Sequence, residues 1–120
     1  MPTSCRIGIQ TPSGEVRSIY CHWDGHPALT GAMLATHYTD EESVQRLMDL
    51  GNLSALGKTI GQKHSFTDTD DLMCIAYGRD RGDAGQDALF SSNADEYVKL
   101  GSKEDYLYLY SNGKWSHTPA

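Results

Sequence analysis

The stretch Cys5–Trp23, "CRIGIQTPSGEVRSIYCHW", sets the frame of the fold. Ile7 and Ile9 alternate with Arg6, Gly8 and Gln10, the period-two pattern of a strand with one buried face. Residues 11–15, Thr-Pro-Ser-Gly-Glu, then supply turn chemistry: Pro presets φ, and Gly takes conformations that other residues avoid. From Val16 to Trp23 a second alternation puts Ile19, Cys21 and Trp23 on one face and Tyr20 and His22 on the other. Two such runs around a short turn read as a β-hairpin. The next residues, Asp24-Gly25-His26-Pro27, make a corner leading into the first helix.

Working outward, Thr30–Tyr38 is helix-like, with Ala32, Met33 and Leu34 as good helix formers. A second helix, about 40–50, is announced by a capping box running from Thr39 to Glu42. Val44, Leu47 and Met48 share one face of it, and Gly51 is the natural residue just past its end. Residues 52–57 read as a short turn tucking Leu53 and Leu56 under the core. "LMCIAYG" (72–78) suits a buried strand, and "GRDRGDAGQD" (78–87) reads as a charged, Gly-rich loop. Residues 93–100 fit a short helix or an edge strand. Near the end, Asn112-Gly113 separates Tyr106–Tyr110 from Lys114–Ser116, a strong hairpin signal. The sum is one α+β domain over 1–120. Its antiparallel sheet has about four to six strands, with helices at about 30–38 and 40–50 packed on one face.

Ten basic residues against sixteen acidic ones give a net charge of −6. That balance disfavours direct nucleic-acid binding, which requires Lys and Arg to neutralise phosphates. It suits a partner with a basic patch. The three cysteines, Cys5, Cys21 and Cys74, form no CxxC pair, and no hydrophobic leader core follows Met1. A cytoplasmic protein with free thiols is expected, without a finger-type zinc site. No apolar run approaches the ~18 residues of a membrane span.

"YCHWDGHP" (20–27) concentrates the chemistry. His22, Asp24 and His26 are two apart and would share a face on a continuous strand, as zinc or iron ligands could. Gly25 and Pro27 end the strand instead, leaving Asp24 to cap the turn and Trp23 to anchor the core. Cys21 could be a nucleophile if paired with an imidazole. Alternation points His22 away from it, so its partner would be His37, His64 or His117. The bland reading is a buried Cys acting as a small hydrophobe. Asp68, Asp70 and Asp71 suggest calcium but lack the Gly and distal Glu of an EF-hand loop, so a solvated turn is the simpler account. In 78–83, two Arg and two Asp can pair with one another or reach a partner. Tyr106, Tyr108 and Tyr110 project opposite Leu107 and Leu109; they either line an exposed interface or are covered by the helices.

Three segments, "IYCHWDGHP", "HYTDEESVQRLMDLGNLSALG" and "AYGRDRG", resemble a family of small proteins encoded by phages, prophages and neighbouring bacterial genes. The likeness spans most of the chain. It departs at His26, where the family has Tyr, and at "ALTG" (28–31), where G-V-G is usual. The resemblance brings no catalytic residues and no cofactor. It implies a mobile-element protein that binds and blocks a host factor, such as a CRISPR or restriction component with a basic surface, in the host cytoplasm. Partner contacts are then expected from Asp68, Asp70, Asp71, Tyr106, Tyr108 and Tyr110, with homodimerisation through the C-terminal hairpin open. The alternative is a small enzyme or metal protein centred on Cys21, His22, Asp24 and His26.

Overall fold

The two alternating runs become strands β1 (Cys5–Gln10) and β2 (Val16–Cys21), antiparallel, with Ile7 opposite Ile19 and Cys5 opposite Cys21. They lie in the middle of an α+β structure; the computed structural model describes residues 2–67 and 72–120. On the far side of β1 lies β6 (Tyr106–Ser111), which forms a hairpin with β7 (Lys114–Pro119). Asn112 (φ 53°) and Gly113 (φ 77°) both take positive φ there, as the predicted tight turn requires. The outer edge of β2 is shared. β3 (Leu53–Ala55) pairs with its end and carries β4 (Ile75–Ala76), while β5 (Leu89–Ser91) pairs with its start.

The sheet is mixed: β1 runs parallel to β6, and β2 parallel to β3. This corrects the expected antiparallel sheet. Parallel neighbours need long crossovers, here the helical segments, and alternation within a strand carries no information about its neighbour's direction. The other departures are local. Residues 53–55 are a strand, although Leu53 and Leu56 are buried as expected. Only Ile75–Ala76 of the 72–78 run is strand, and α3 (Tyr77–Arg81) takes up the start of the expected loop.

A wide π-type turn, Pro27–Gly31, leads into α1 (Ala32–His37), and α2 spans Glu41–Leu50. The cap of α2 is Asp40, not Thr39. Its carboxylate accepts from the Ser43 N–H at 2.7 Å, and this bond lowers its pKa. D-x-x-S and T-x-x-E overlap by one residue here. The competition is settled by Asp40 being extended (φ −134°, ψ 164°) while the Thr39 carbonyl accepts from the Tyr110 hydroxyl. Residues 93–100 resolve as a helix, α4 (Ala94–Leu100), capped by the Asn93 side chain on the Glu96 N–H.

Strand parity divides the core. Cys5, Ile7, Ile9, Ile19, Cys21, Tyr108 and Tyr110 cluster with Leu34 and Tyr38 of the first helical segment and Val44, Leu47 and Met48 of α2. The opposite parity serves α4, whose Tyr97 packs with Val16 and Leu107 and donates to the Tyr108 carbonyl at 2.6 Å. Gly8 makes room for that ring: a Cβ there would meet both Tyr97 and Val16 at 3.0 Å. Helices therefore serve both faces, and the grouping of helices on one face is not the whole arrangement.

Candidate functional site

The end of β2 determines the exposed chemistry. Past Cys21, the backbone N–H groups of His22 and Trp23 bond to the Leu53 and Ser54 carbonyls, so the chain stays beside β3 but leaves the central ladder. Asp24 then adopts a left-handed conformation (φ 60°), and its carbonyl accepts from the Thr30 hydroxyl at 2.7 Å. Gly25 follows because a Cβ there would meet the Thr3–Ser4 backbone at 2.9 Å. This reversal swings Trp23 out of the core, leaving it 47% exposed. Its expected role as a core anchor is thereby corrected: strand alternation ceases to apply two residues before it.

Trp23 stands between two features. On one side is an open cleft of about 460 Å³, lined by Leu29, Met33 and Leu56, with Asp24, His37 and Lys58 among its charged or polar groups. On the other, the His22 ring meets Trp23 edge-on at 4.9 Å, and the Tyr20 hydroxyl bonds to His22 Nδ1 at 2.6 Å. Burial, and then the nearby Tyr77, raise the Tyr20 pKa. Tyr77 stacks obliquely on Phe66, and the Arg81 guanidinium lies 4.5 Å from the Phe66 ring centre and 4.8 Å from that of Tyr77. Asp83 holds Arg81 in place at 2.6 Å, which keeps the carboxyl below its ordinary range. The result is a partly exposed aromatic surface with one oriented cation.

The residues of the metal and nucleophile readings diverge. His26 Nε2 turns to the Thr3 hydroxyl at 2.9 Å, while His22 is engaged by Tyr20. Among the described residues no three His, Cys, Asp or Glu side chains are placed to hold a metal ion. Cys21 lies fully buried opposite Cys5. The hydrogen bond that the Cys5 thiol gives to Cys21, and then burial, push the Cys5 pKa well up; burial also raises that of Cys74, which contacts the Tyr38 hydroxyl at 3.3 Å. Raised pKa values keep thiols protonated and poorly nucleophilic.

A second cluster is built around a buried carboxylate. Asp80 has no exposed side-chain surface and accepts from the Ala76 and His64 N–H groups and from the Arg79 guanidinium. Burial alone would raise its pKa, but these bonds and the Arg79 charge outweigh it and hold the carboxyl below the ordinary range. Arg79 also donates to the Ile60 and Cys74 carbonyls. In the 78–83 segment, then, each Arg pairs with an Asp of the same segment, Arg79 with the buried Asp80 and Arg81 with Asp83 at the surface, and the Asp80 cluster ties the 60–65 segment to α3.

Of the expected partner-binding residues, Tyr108 (1% exposed) and Tyr110 (6%) are buried, and Tyr106 is half-buried. Tyr108 donates to the Gly25 carbonyl at 2.7 Å. Of the two readings of the tyrosines, coverage by the helices holds for Tyr108 and Tyr110, and they offer no contact surface. Asp68, Asp70 and Asp71 lie outside the described residues. Phe66, Tyr77 and Arg81 were missed as a group, because they are brought together by tertiary structure and share no spacing. The one signal legible in the sequence is Asp24-Gly25, the corner that follows directly on Trp23. Comparison with known protein families, curated proteins and solved structures finds no match for this chain.

Proposed function

We propose that this chain is a non-enzymatic binding protein of the mobile-element type that inhibits a host defence complex by protein–protein contact. The observation that carries the binding role is Trp23, exposed between an apolar cleft and a ring cluster bearing an oriented Arg. Trp, Tyr and Arg supply most binding hot spots because they offer large contact areas, and Trp and Tyr do so with few rotatable bonds. Exposed carboxylates on several elements, among them Glu41, Glu42, Asp87 and Asp95, suit a partner with a basic surface. The choice of a CRISPR or restriction component as that partner rests on the family resemblance and the net charge.

The test is capture from host lysate by the immobilised protein, comparing wild type with Trp23→Ala and with Leu29→Ala. One dominant host protein should be retained by wild type, more weakly as salt rises, and lost with Trp23→Ala while the variant stays folded. Equal capture by wild type and Trp23→Ala would remove Trp23 from the contact surface. Failure to retain any protein, together with turnover of a small molecule, would overturn the binding role itself.

A further inference from the structure

Two of the sheet's outer strands, β4 and β7, differ. β4 is two residues long and runs straight into α3, which blunts it as a pairing template. β7 is six residues long, regular throughout, and exposed at every position except the half-buried Trp115. Its register fixes which backbone groups face outward. Lys114 pairs with Ser111 across a two-residue turn, and the Ala120 N–H bonds to the Asp105 carbonyl at 3.1 Å. In an antiparallel ladder the inward-bonded positions alternate. Lys114, Ser116 and Thr118 are thus bonded to β6, and Trp115 and His117 turn their N–H and C=O groups away from the sheet.

We propose that this edge pairs with a second copy of the same chain. β7 would lie antiparallel to its counterpart about a two-fold axis through Ser116, joining the two sheets into one. The outward groups are self-complementary in that register. Trp115 meets His117 of the second copy, and each such pair exchanges two N–H···O=C bonds. Lys114 meets Thr118, so no like charges are opposed, and Lys114 is the only Lys, Arg, Asp or Glu in the strand. Pro119 has no N–H and ends the new ladder. A groove of about 110 Å³, lined by Val98, Leu107, Leu109 and Thr118, runs beside the edge. The Lys114 stem of the second copy would lie next to Thr118 at its rim. The Trp23 surface belongs to the β3 side of the sheet, so pairing through β7 leaves it open on both copies.

The experiment is sedimentation equilibrium of the full chain, with Ser116→Lys, Ser116→Glu and His117→Pro. Wild type should show a concentration-dependent mass approaching twice 13.2 kDa. Each Ser116 variant places like charges together at the axis, and His117→Pro removes an outward donor without touching the β6–β7 bonds. Each should weaken dimerisation roughly tenfold or more, with unchanged circular dichroism. An equimolar mixture of Ser116→Lys and Ser116→Glu should recover the dimer, because opposite charges then meet. A wild type that stays monomeric at high concentration overturns the proposal. So does a dimer indifferent to all three variants, or a charge-swapped mixture that fails to pair.

Discussion

Two groups of aromatic residues, on strands flanking β1, meet opposite fates. On β6, Tyr108 and Tyr110 lie under the helices with their hydroxyls on main-chain carbonyls, and Trp115 of β7 donates to the Tyr38 carbonyl at 2.8 Å. At the end of β2, Tyr20, His22 and Trp23 stay partly open and bond mainly to one another. The first group closes the core and holds the corner at Gly25. The second has surface to offer a partner. The residue types are alike; what differs is whether a helix covers them. Stability and binding should therefore separate cleanly between the two groups.

The separation predicts a graded series of effects on unfolding by denaturant. Tyr108→Ala should be the most damaging, at about 4 kcal/mol, since it empties a buried ring site and leaves the corner at Gly25 without its bond. Asp80→Asn should follow at about 2 kcal/mol, from the Arg79 group left without its carboxylate. It carries a pH signature as well. The folded pKa of Asp80 is depressed, so its contribution is fully present above the unfolded carboxylate value of ~3.9 and is lost as pH falls through the folded pKa. Wild type should therefore lose stability on acidification more steeply than the variant; parallel pH profiles would show that the cluster contributes nothing through ionisation.

Gly8→Ala probes the α4 face, where the new methyl presses on Tyr97 and Val16 and should cost about 1–2 kcal/mol. If it is neutral, α4 shifts freely and the second face is only loosely packed. Trp23→Ala lies at the bottom of the series, within about 0.5 kcal/mol of wild type, while removing partner capture. A large loss of stability there would put Trp23 with the structural group and dissolve the contrast. A chemical check needs no mutation. Cys5 and Cys74 should resist alkylation in the native protein and react at the rate of unfolding, because both thiols are buried and their pKa values raised.

Much of this architecture is written in local pattern. Ile7, Ile9 and Ile19 mark the central hairpin by alternation, Asn112-Gly113 marks the last turn, and Val44, Leu47 and Met48 mark the buried face of α2. Each signal acts over a few residues, where side-chain period and backbone conformational preference suffice. The candidate surface was only half legible. Asp24-Gly25 announces that the strand stops, yet strand parity carried one step too far sends Trp23 inward.

What the sequence determined by itself is therefore the central and C-terminal hairpins, the first two helices and the α+β class. Only the tertiary structure decided the direction of β6 beside β1, the burial of Tyr108 and Tyr110, and the gathering of Phe66, Tyr77 and Arg81 beside the exposed end of β2. The physical reason is the same in each case. Periodicity tells which residues share a face, but which face is covered depends on where distant segments pack, and no period within a strand encodes that.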